Sequence, residues 1–460
     1  MVQNKIYILI FISILRDETM NKKAIYSIVV VIIVIVAGLG IYFEVYHPAK
    51  SSKQSIIFAA AVSSGEEYTF DQNMVNTFNS EHTNVSVTFQ SLNDFYPTLG
   101  TEFATNSAPG VFYMENSALP EFASEGYLQN LKPILTANTS YNISGFAPSI
   151  LKTFSYKGGL YAAPKDWSPL AVFYNKAIFS AEHVQYPGNG TWNWTTMKQT
   201  LEMLKANESM ASSLGIKDVT PMVIGPQVAR ALAFMHEAGG DWINEKGDAA
   251  VNNTTAFKEG FSYWYDLYSS GLAKLNSNFS AGWNGGDFAA GNIGMIVSGT
   301  WTVPVLNASG AYFAGKMSDV GYYYMPAGPT GIKATMMFNV GLGVNSALVG
   351  TQKWIADQFV EFFTGPVGEK LWVSEGLALP SRTAILDSSW YSSHFPIQSF
   401  VGKQFPYAYG WNYNTTNFEA TELDVHNVYA SLFAGTLSLN KALTEMLDVT
   451  NASLAGTSTL

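Results

Sequence analysis

Short apolar runs alternate with helix-period stripes along most of the chain. The run Ile56–Val62 contains no polar residue, which is typical of a strand buried on both faces. Phe70, Met74 and Phe78 then recur every four residues, as one buried face of a helix requires. Because this alternation repeats, we expect an α/β fold with mostly parallel sheets flanked by helices. Further strands are predicted at Val85–Phe89, Val111–Met114, Leu170–Tyr174 and Val340–Val344, and further helix faces at Phe257, Phe261, Trp264 and Tyr268 and at Ile355, Phe359, Phe362 and Phe363.

The segment Tyr156–Lys176 has the pattern of a chain that crosses from one lobe to another. Gly158–Gly159 predicts a hairpin-like turn, and the apolar run after it is closed by Pro164, which lacks the donor that a strand ladder needs. Polar residues and an indole follow before the next buried strand. We therefore expect a crossing that carries an aromatic ring and several hydrogen-bonding groups.

Length and composition narrow the class of protein. The 460 residues exceed the ~250–300 at which a single core stops growing, so at least two lobes are expected. Charged residues make up 13%, against ~25% in typical domains, and the net charge is −10. This charge argues against a nucleic-acid partner, which a basic surface would hold. Cysteine is absent, which excludes disulfides and thiolate metal sites.

An apolar stretch near the N-terminus predicts membrane attachment. Ala24–Phe43 has twenty residues without a charge, enough for a helix to cross the ~30 Å hydrocarbon layer. Lys22 and Lys23 precede it, which favours an N-terminus inside the cell and the body of the chain outside. The stretch lacks a small-residue cleavage site, so it is either an uncleaved anchor or similar to an archaeal pilin-type leader cut near its first residue. Met20 is an alternative start to Met1.

Twelve Asn-x-Ser/Thr triplets are consistent with an extracellular glycoprotein, since none lies before the apolar stretch. Which of them carry a glycan is left open. Their asparagines are Asn84, Asn138, Asn142, Asn189, Asn193, Asn207, Asn252, Asn253, Asn278, Asn307, Asn414 and Asn451.

The motifs of cofactor and metal chemistry are incomplete. Gly310–Lys316 has the glycine and lysine spacing of a phosphate loop, but Met317 stands where a Ser or Thr would hold magnesium. His236–Glu237 begins a zinc-protease motif, yet Gly240 stands where its second histidine belongs. No G-x-S-x-G nucleophile motif occurs. We therefore predict no cofactor, no metal and no catalytic residue.

Several segments, in order, resemble the extracellular solute-binding proteins of ABC importers, in particular their maltose-binding-like sugar-binding group, and the leader makes the chain similar to archaeal membrane-anchored members. The resemblance runs from about Ile56 to Leu454. The segments that carry it include YKGGLYAAPKDWSPLAVFYNK at Tyr156–Lys176, FMHEAGGDW at Phe234–Trp242, DFAAGNIGMIVSGTWTVPVL at Asp287–Leu306 and GLALPSR at Gly376–Arg382.

The resemblance implies a two-lobed periplasmic-binding-protein fold of type II, and the apolar stretch adds an N-terminal transmembrane helix before it. Crossings between the lobes are expected near Pro164–Ser168, Phe338–Gly341 and Leu377–Pro380. The expected organisation is a cytoplasmic or leader segment at 1–23, the membrane helix at 24–43, a linker at 44–55, lobe 1 at 56–165, lobe 2 at 166–338, a return to lobe 1 at 339–378 and the C-terminal helices of lobe 2 at 379–460.

The ligand-binding residues are predicted partly from their types and partly from the resemblance. A sugar presents an apolar ring face bordered by hydroxyls, so its site needs a flat aromatic ring and neighbouring polar groups. The resemblance places a stacking tryptophan at Trp301, in the motif Gly-x-Trp. The other expected ligand contacts are Trp167, Asp166, Ser168, Glu115, Asn116, Ser117, Glu66 and Trp411.

The function implied is extracellular capture of a mono- or oligosaccharide between hinged lobes and its delivery to a membrane permease, which pairs with a cytoplasmic ATPase. A monomer that makes no covalent change to its ligand is expected. Three alternatives remain: an extracellular glycoside hydrolase with two catalytic carboxylates, a binder of a peptide, ion or other non-sugar solute, and a pilin-like surface protein.

Overall fold

The computed structural model describes residues 53–62, 64–251, 254–410 and 413–457. Apart from Lys53, they belong to one compact unit, Gln54–Leu460. The predicted membrane helix Ala24–Phe43 and the segment before it lie outside the described residues. Within the described ranges, no helix combines the length and the apolar character needed to cross a bilayer.

The chain first builds one lobe around a sheet that begins at Gln54, two residues before the predicted strand start. Its elements are β1 (Gln54–Ala60), α1 (Gly65–Glu81), β2 (Val85–Ser91), α2 (Phe95–Ala104), β3 (Val111–Glu115), α3 (Leu119–Ser124), α4 (Lys132–Ala137), α5 (Pro148–Thr153), β4 (Ser155–Tyr156), β5 (Gly159–Leu160) and β6 (Ala162–Pro169).

A second lobe follows directly. Its elements are β7 (Ala171–Asn175), α6 (Lys176–Ala181), α7 (Trp194–Asn207), β8 (Thr220–Ile224), α8 (Val228–Glu237), α9 (Thr254–Ser269), β9 (Ala273–Leu275), α10 (Asn284–Phe288), β10 (Ile293–Ser298), α11 (Thr302–Leu306) and β11 (Val320–Tyr323).

The chain then returns to the first lobe and ends on the second. The returning elements are β12 (Thr335–Val344), α12 (Gly350–Thr364), α13 (Pro366–Val373), β13 (Leu379–Pro380), α14 (Thr383–Leu386) and α15 (Ser389–His394). The closing elements are α16 (Pro396–Val401), β14 (Ala408–Gly410), α17 (Phe418–Phe433) and α18 (Leu439–Leu454).

Both main sheets are mixed, which corrects the expectation of mostly parallel sheets. Among the described residues, the first has the order β13-β6-β12-β3-β1-β2 with β14 beside β12, and the second has the order β11-β7-β10-β8-β9. The β1, β2 and β3 pairings are parallel, but β12 runs antiparallel to both β3 and β6. In the second sheet β7 runs antiparallel to both β10 and β11. In each sheet, the strand that enters from the other lobe (β12 or β7) therefore runs antiparallel to two neighbouring strands. The hydrophobic period of a strand does not reveal its direction.

The first crossing strand continues through Pro164, where the sequence predicted an end. Gly341 pairs with Pro164 and Val340 pairs with Asp166, so Lys165 is an extra residue in β6. A bulge of this kind is one of the few places where a strand accepts proline, and it turns side chains in a new direction. The hairpin expected at Gly158–Gly159 is present between β4 and β5.

Separate apolar cores define the two lobes. The first core includes Phe58, Phe112 and Phe359. The second lobe has a core on each face of its sheet, because alternate residues of β7 point to opposite sides: Val172 belongs to one core and Phe173 to the other.

The third crossing lies later than the sequence predicted. The return to the first lobe was expected to end at residue 378, with a crossing at Leu377–Pro380. However, Leu379 and Tyr391 are fully buried in the first core, and the chain enters the second lobe with Ile397. The reason is that Leu379–Pro380 pairs with β6 as an edge strand and keeps the chain on the first sheet.

A buried ion pair holds this returning segment. The Arg382 Nε lies 3.3 Å from Glu369 Oε2, and the backbone N–H groups of Ser381 and Arg382 donate to Glu369 Oε1. The Arg382 Nε also donates to the Thr364 carbonyl at 2.9 Å. Burial raises the pKa of Glu369 above its usual range, and the Arg382 guanidinium opposes this by favouring the carboxylate. This pair ties α13 to the segment that follows β13.

Candidate functional site

Two adjoining cavities lie between the lobes, with volumes of about 290 Å³ and about 330 Å³. They share Tyr96, Glu115 and Phe338 in their walls and together form what we call the interlobe cleft. Side chains of both lobes line it, which is the arrangement that a hinged binding protein requires. Other residues that line the first cavity include Glu67, Phe95, Tyr113, Lys165, Asp166, Ser168, Trp301 and Val340. Those that line the second include Ser117, Gln227, Arg230, Glu419, Glu422 and His426.

The end of β3 contributes polar groups of the first lobe. Glu115 is the last residue of the strand and lines both cavities, and Ser117 lines the second. The Glu115 backbone N–H donates to the Tyr96 hydroxyl at 2.7 Å, which fixes the strand end against α2. Asn116, between them, is buried and does not line either cavity. Of the three residues predicted at the carboxyl end of this strand, Glu115 and Ser117 line the cleft and Asn116 does not.

The first helix presents Glu67 to the cleft rather than the predicted Glu66. The Ser64 side chain caps α1 by accepting a hydrogen bond from the Glu67 backbone N–H at 3.2 Å. This cap sets the helix register, so Glu67 is buried at the cavity wall while Glu66 is only half-buried and lines neither cavity. The sequence alone could not choose between these adjacent carboxylates.

The crossing strand β6 supplies a buried charged pair. The Lys165 Nζ lies 2.6 Å from Asp166 Oδ2, and Trp372 Nε1 donates to the same oxygen at 2.7 Å. The ammonium also lies 3.8 Å from the Trp372 ring centroid and 4.2 Å from that of Tyr113. Lys165 was missed by sequence reasoning, because only the bulge brings two successive side chains to one cavity.

Ser168, also predicted, links the crossing strand to the second lobe. Its hydroxyl lies 2.9 Å from Thr300 Oγ1 and accepts a hydrogen bond from the Thr300 backbone N–H at 2.8 Å. Thr300 directly precedes Trp301, so this contact positions the loop that carries the indole.

Trp167, which was predicted as a ligand contact, does not line the cleft. Its side chain is 1% exposed, and its Nε1 donates to the Pro380 carbonyl at 2.9 Å. The ring packs against Phe405 with centroids 4.8 Å apart. Successive strand residues point to opposite faces, so Trp167 faces the interior when Asp166 and Ser168 face the cavity.

Trp301 forms an aromatic wall of the cleft. It is half-buried, lines the first cavity and packs against the main cores of both lobes. Its ring meets Phe338 edge to face with centroids 5.2 Å apart. A Cβ added at Gly299 would lie 2.0 Å from the indole Cζ3, so the glycine of the Gly-x-Trp motif makes room for the folded-back ring.

The second lobe adds charged residues that the sequence analysis did not select. Arg230 follows the start of α8, and Glu419 and Glu422 lie three residues apart on α17, which places them on one helix face. His426, one turn further, accepts a hydrogen bond from the Val228 backbone N–H at 3.4 Å through its Nε2. The sequence did offer one indication of Arg230, because it is an isolated arginine in the apolar run VARALAFM.

The carboxyl groups of the cleft resist ionisation. Burial, with Asp166 and Glu67 nearby, raises the pKa of Glu115 to about 7. Burial and the neighbouring Glu422 and Glu115 raise the pKa of Glu419 to about 9. Burial and Glu115 raise the pKa of Glu422 to about 7. These groups come from both lobes, and a carboxyl that keeps its proton at neutral pH, as Glu419 does, can both donate and accept hydrogen bonds.

Trp411, the last predicted contact, lies outside the described residues. Over the described ranges, no cluster of three or more His, Asp or Glu side chains is arranged to hold a metal ion.

The family model for "bacterial extracellular solute-binding protein" matches residues 73–397, which is most of the chain and includes the crossing strand, Trp301 and the return to the first lobe. The chain belongs to this family. It is therefore an extracellular solute-binding protein, a class that binds its ligand without catalysis.

One curated relative matches part of the chain. A curated relative, the "uncharacterized lipoprotein in oleD 5′ region" of Streptomyces antibioticus, is 23% identical over 187 residues, which cover 39% of this chain. The match spans only 41% of that relative's length.

Solved structures share the fold at low identity. The GacH receptor of Streptomyces glaucescens, studied unliganded and with acarbose, has a TM-score of 0.75 at 19% identity and covers 88% of this chain and 100% of its own. Lmo0181 of Listeria monocytogenes, in complex with cycloalternan, has a TM-score of 0.74 at 18% identity with coverages of 88% and 100%. UgpB of Mycobacterium tuberculosis, in complex with glycerophosphocholine, has a TM-score of 0.73 at 18% identity with coverages of 87% and 98%.

Proposed function

We propose that this solute-binding protein is the extracellular component of an ABC importer and captures a mono- or oligosaccharide in the interlobe cleft. The observation that carries the proposal is the cleft itself, where the Trp301 ring and several carboxyl groups line one space between two lobes. An indole covers the apolar face of a sugar ring, and carboxyl, hydroxyl and amide groups meet the hydroxyls at its edge.

The placement of the predicted contacts supports this ligand class. Glu115, Asp166 and Ser168 lie around the same cavity as Trp301, so ring and hydrogen-bonding groups are available to one ligand. Two of the structures compared above are described with the saccharides acarbose and cycloalternan, and one with glycerophosphocholine. A non-sugar solute with several oxygen atoms is therefore the alternative that the experiment must separate.

Capture would proceed by closure of the lobes around the ligand. The lobes are joined by β6 and β12, which cross between them, and the cleft is lined from both sides. A ligand stabilises the closed state only through contacts that the open state lacks, so contacts to both lobes are needed. The closed form would then deliver the sugar to the membrane permease, as a monomer.

We also propose that the chain is held at the outer face of the cell membrane by Ala24–Phe43. The basis is the length and apolarity of that segment in the sequence. Full-length chain should sediment with membranes after a high-salt wash, whereas a chain beginning at Gln54 should be released. Recovery of the full-length chain in the wash would refute anchoring by this helix.

The ligand proposal is tested by thermal denaturation against a panel of mono- and oligosaccharides and glycerophosphodiesters. A ligand at one hundred times its dissociation constant adds about 2.7 kcal/mol to the free energy of unfolding, which gives a measurable rise in Tm. Trp301→Ala should abolish the response to the stabilising sugar. A response confined to glycerophosphodiesters, or an unchanged sugar response in the variant, would contradict the proposal, and so would sustained release of sugar products.

A further inference from the structure

Arg230 is a cation of the cleft that forms no ion pair among the described residues. It is the third residue of α8 and lines the second cavity. Its Nε and Nη1 are shielded from solvent and donate to no acceptor among the described residues. No carboxylate of the described chain lies within 4.0 Å of the guanidinium, the distance of an ion pair.

Packing, rather than charge pairing, holds this side chain. The Arg230 Cζ lies 5.5 Å from the Trp301 ring centroid and 5.4 Å from that of Phe338. Both rings line the first cavity, so the guanidinium lies beside the proposed stacking wall. Burial lowers the pKa of Arg230 to about 10, so the group remains charged at neutral pH. A partly buried cation whose Nε and Nη1 lack acceptors is unfavourable in the empty protein and is favoured by an acceptor brought in by a ligand.

The surrounding carboxyl groups limit which acceptor can enter. Glu115, Glu419 and Glu422 line the same cavity, and each already resists ionisation because of its neighbours. At neutral pH Glu115 and Glu422, with pKa values of about 7, keep part of their negative charge, and a ligand carboxylate or phosphate beside them would require that charge to be neutralised. A ligand ammonium would be repelled by Arg230, which offsets its attraction to the ionised fraction of Glu115 and Glu422. Uncharged hydroxyl and ring oxygens accept from the guanidinium and exchange hydrogen bonds with protonated carboxyls without either penalty.

We propose that Arg230 is a specificity-determining residue of the cleft, which donates hydrogen bonds to oxygen atoms of an uncharged saccharide and disfavours saccharides that carry an amine. This inference rests on the proposed function and narrows its ligand class. The ionised fraction of the carboxyl groups that line the same cavity disfavours acidic saccharides.

The test compares neutral, amine-bearing and carboxylate-bearing oligosaccharides of equal length on the folded chain. The probes are maltotriose, cellotriose and mannotriose, the glucosamine trimer of chitosan, and the galacturonic acid trimer, with affinities measured by calorimetry. The wild-type chain should bind a neutral trimer most tightly. Arg230→Met retains the length and packing of the side chain, and it should weaken neutral binding at least tenfold and raise the amine-to-neutral affinity ratio.

Two further variants keep the result interpretable. Lys316→Met removes a cation that lies 4.8 Å from the Tyr312 ring outside the cleft, and it should bind as the wild type does. Arg230→Lys retains the charge but not the planar fork, so it should bind the neutral trimer with intermediate affinity and still reject the amine. If Arg230→Met fails to fold, Arg230→Lys still tests whether the guanidinium contributes to binding.

The outcomes separate this inference from the proposed function. If the wild-type chain binds a neutral trimer but Arg230→Met binds it equally well, or the amine ratio is unchanged, the role of Arg230 is refuted and saccharide binding stands. A wild-type preference for the acidic or amine trimer also refutes the inference. If no saccharide binds to the wild-type chain, the proposed function fails first, and the inference falls with it.

Discussion

Gly299→Ala offers a way to move the Trp301 ring without removing it. A Cβ at Gly299 would lie 2.0 Å from the indole Cζ3, whereas ordinary van der Waals contact begins at 3.4 Å. The indole edge must therefore retreat by about 1.4 Å. Gly299 does not adopt a left-handed φ, so alanine is compatible with its backbone. The change should act through the ring and not through backbone strain.

The size of the effect follows from the loss of contact. A gap of ~0.5–1 Å forfeits a quarter to a half of a dispersion contact, and truncating a central binding aromatic costs about 2 kcal/mol or more. A displaced indole should thus lose about 1 kcal/mol of binding free energy, which is about fivefold in affinity. Calorimetry with the sugar that most raises the Tm of the wild-type chain measures this loss.

Gly100→Ala is the matched control, because a Cβ there meets nothing within 4 Å and its φ is not left-handed. It should bind as the wild type does. If Gly299→Ala also retains wild-type affinity while Trp301→Ala does not, the close approach of Gly299 to the ring is not what positions it, and the reasoning is refuted.

Three further predictions concern stability. Burial and neighbouring carboxyls raise the pKa of Glu419 to about 9, so protonation of Glu419 stabilises the folded chain fully below about pH 4.5, and this contribution is lost as the pH rises through about 9. The Tm should therefore fall over this pH range. If the Tm of Glu419→Gln falls as steeply with pH as that of the wild type, the assignment to Glu419 is wrong. Glu369→Ala should lower the free energy of unfolding in urea by about 3–5 kcal/mol, because Arg382 is left buried without its carboxylate, and a loss below about 1 kcal/mol would show that the pair is unimportant. Trp167→Phe should cost about 1 kcal/mol through the lost hydrogen bond to Pro380 but leave sugar affinity unchanged, and a clear loss of affinity would return this ring to the site.

Local pattern predicted the elements well, because buried strands and amphipathic helices leave their period in the sequence. The stripe Phe70, Met74 and Phe78 lies in α1, and the run Leu170–Tyr174 overlaps β7. The hairpin expected at Gly158–Gly159 was equally local, since two residues decide such a turn; they are Lys157 and Gly158, and Gly159 begins β5.

Strand direction and the position of the third crossing could not be predicted from local pattern, because they depend on pairing partners that are distant in the chain. The antiparallel course of β12 and the late third crossing at Tyr391–Ile397 follow from which strand each segment pairs with. The bulge that brings Lys165 to the cavity exists only because β6 must match β12.

For the site, the sequence by itself determined that an indole in a Gly-x-Trp motif and polar residues at strand ends were available. Only the tertiary structure decided that Glu67 rather than Glu66 lines the cavity, that Trp167 faces the interior, and that Arg230 lies beside Trp301. The physical reason is that the sequence gives the type of each residue directly, whereas the direction of its side chain is set by helix register and strand pairing. A cleft between two lobes joins groups from both, and no local pattern records which of them meet.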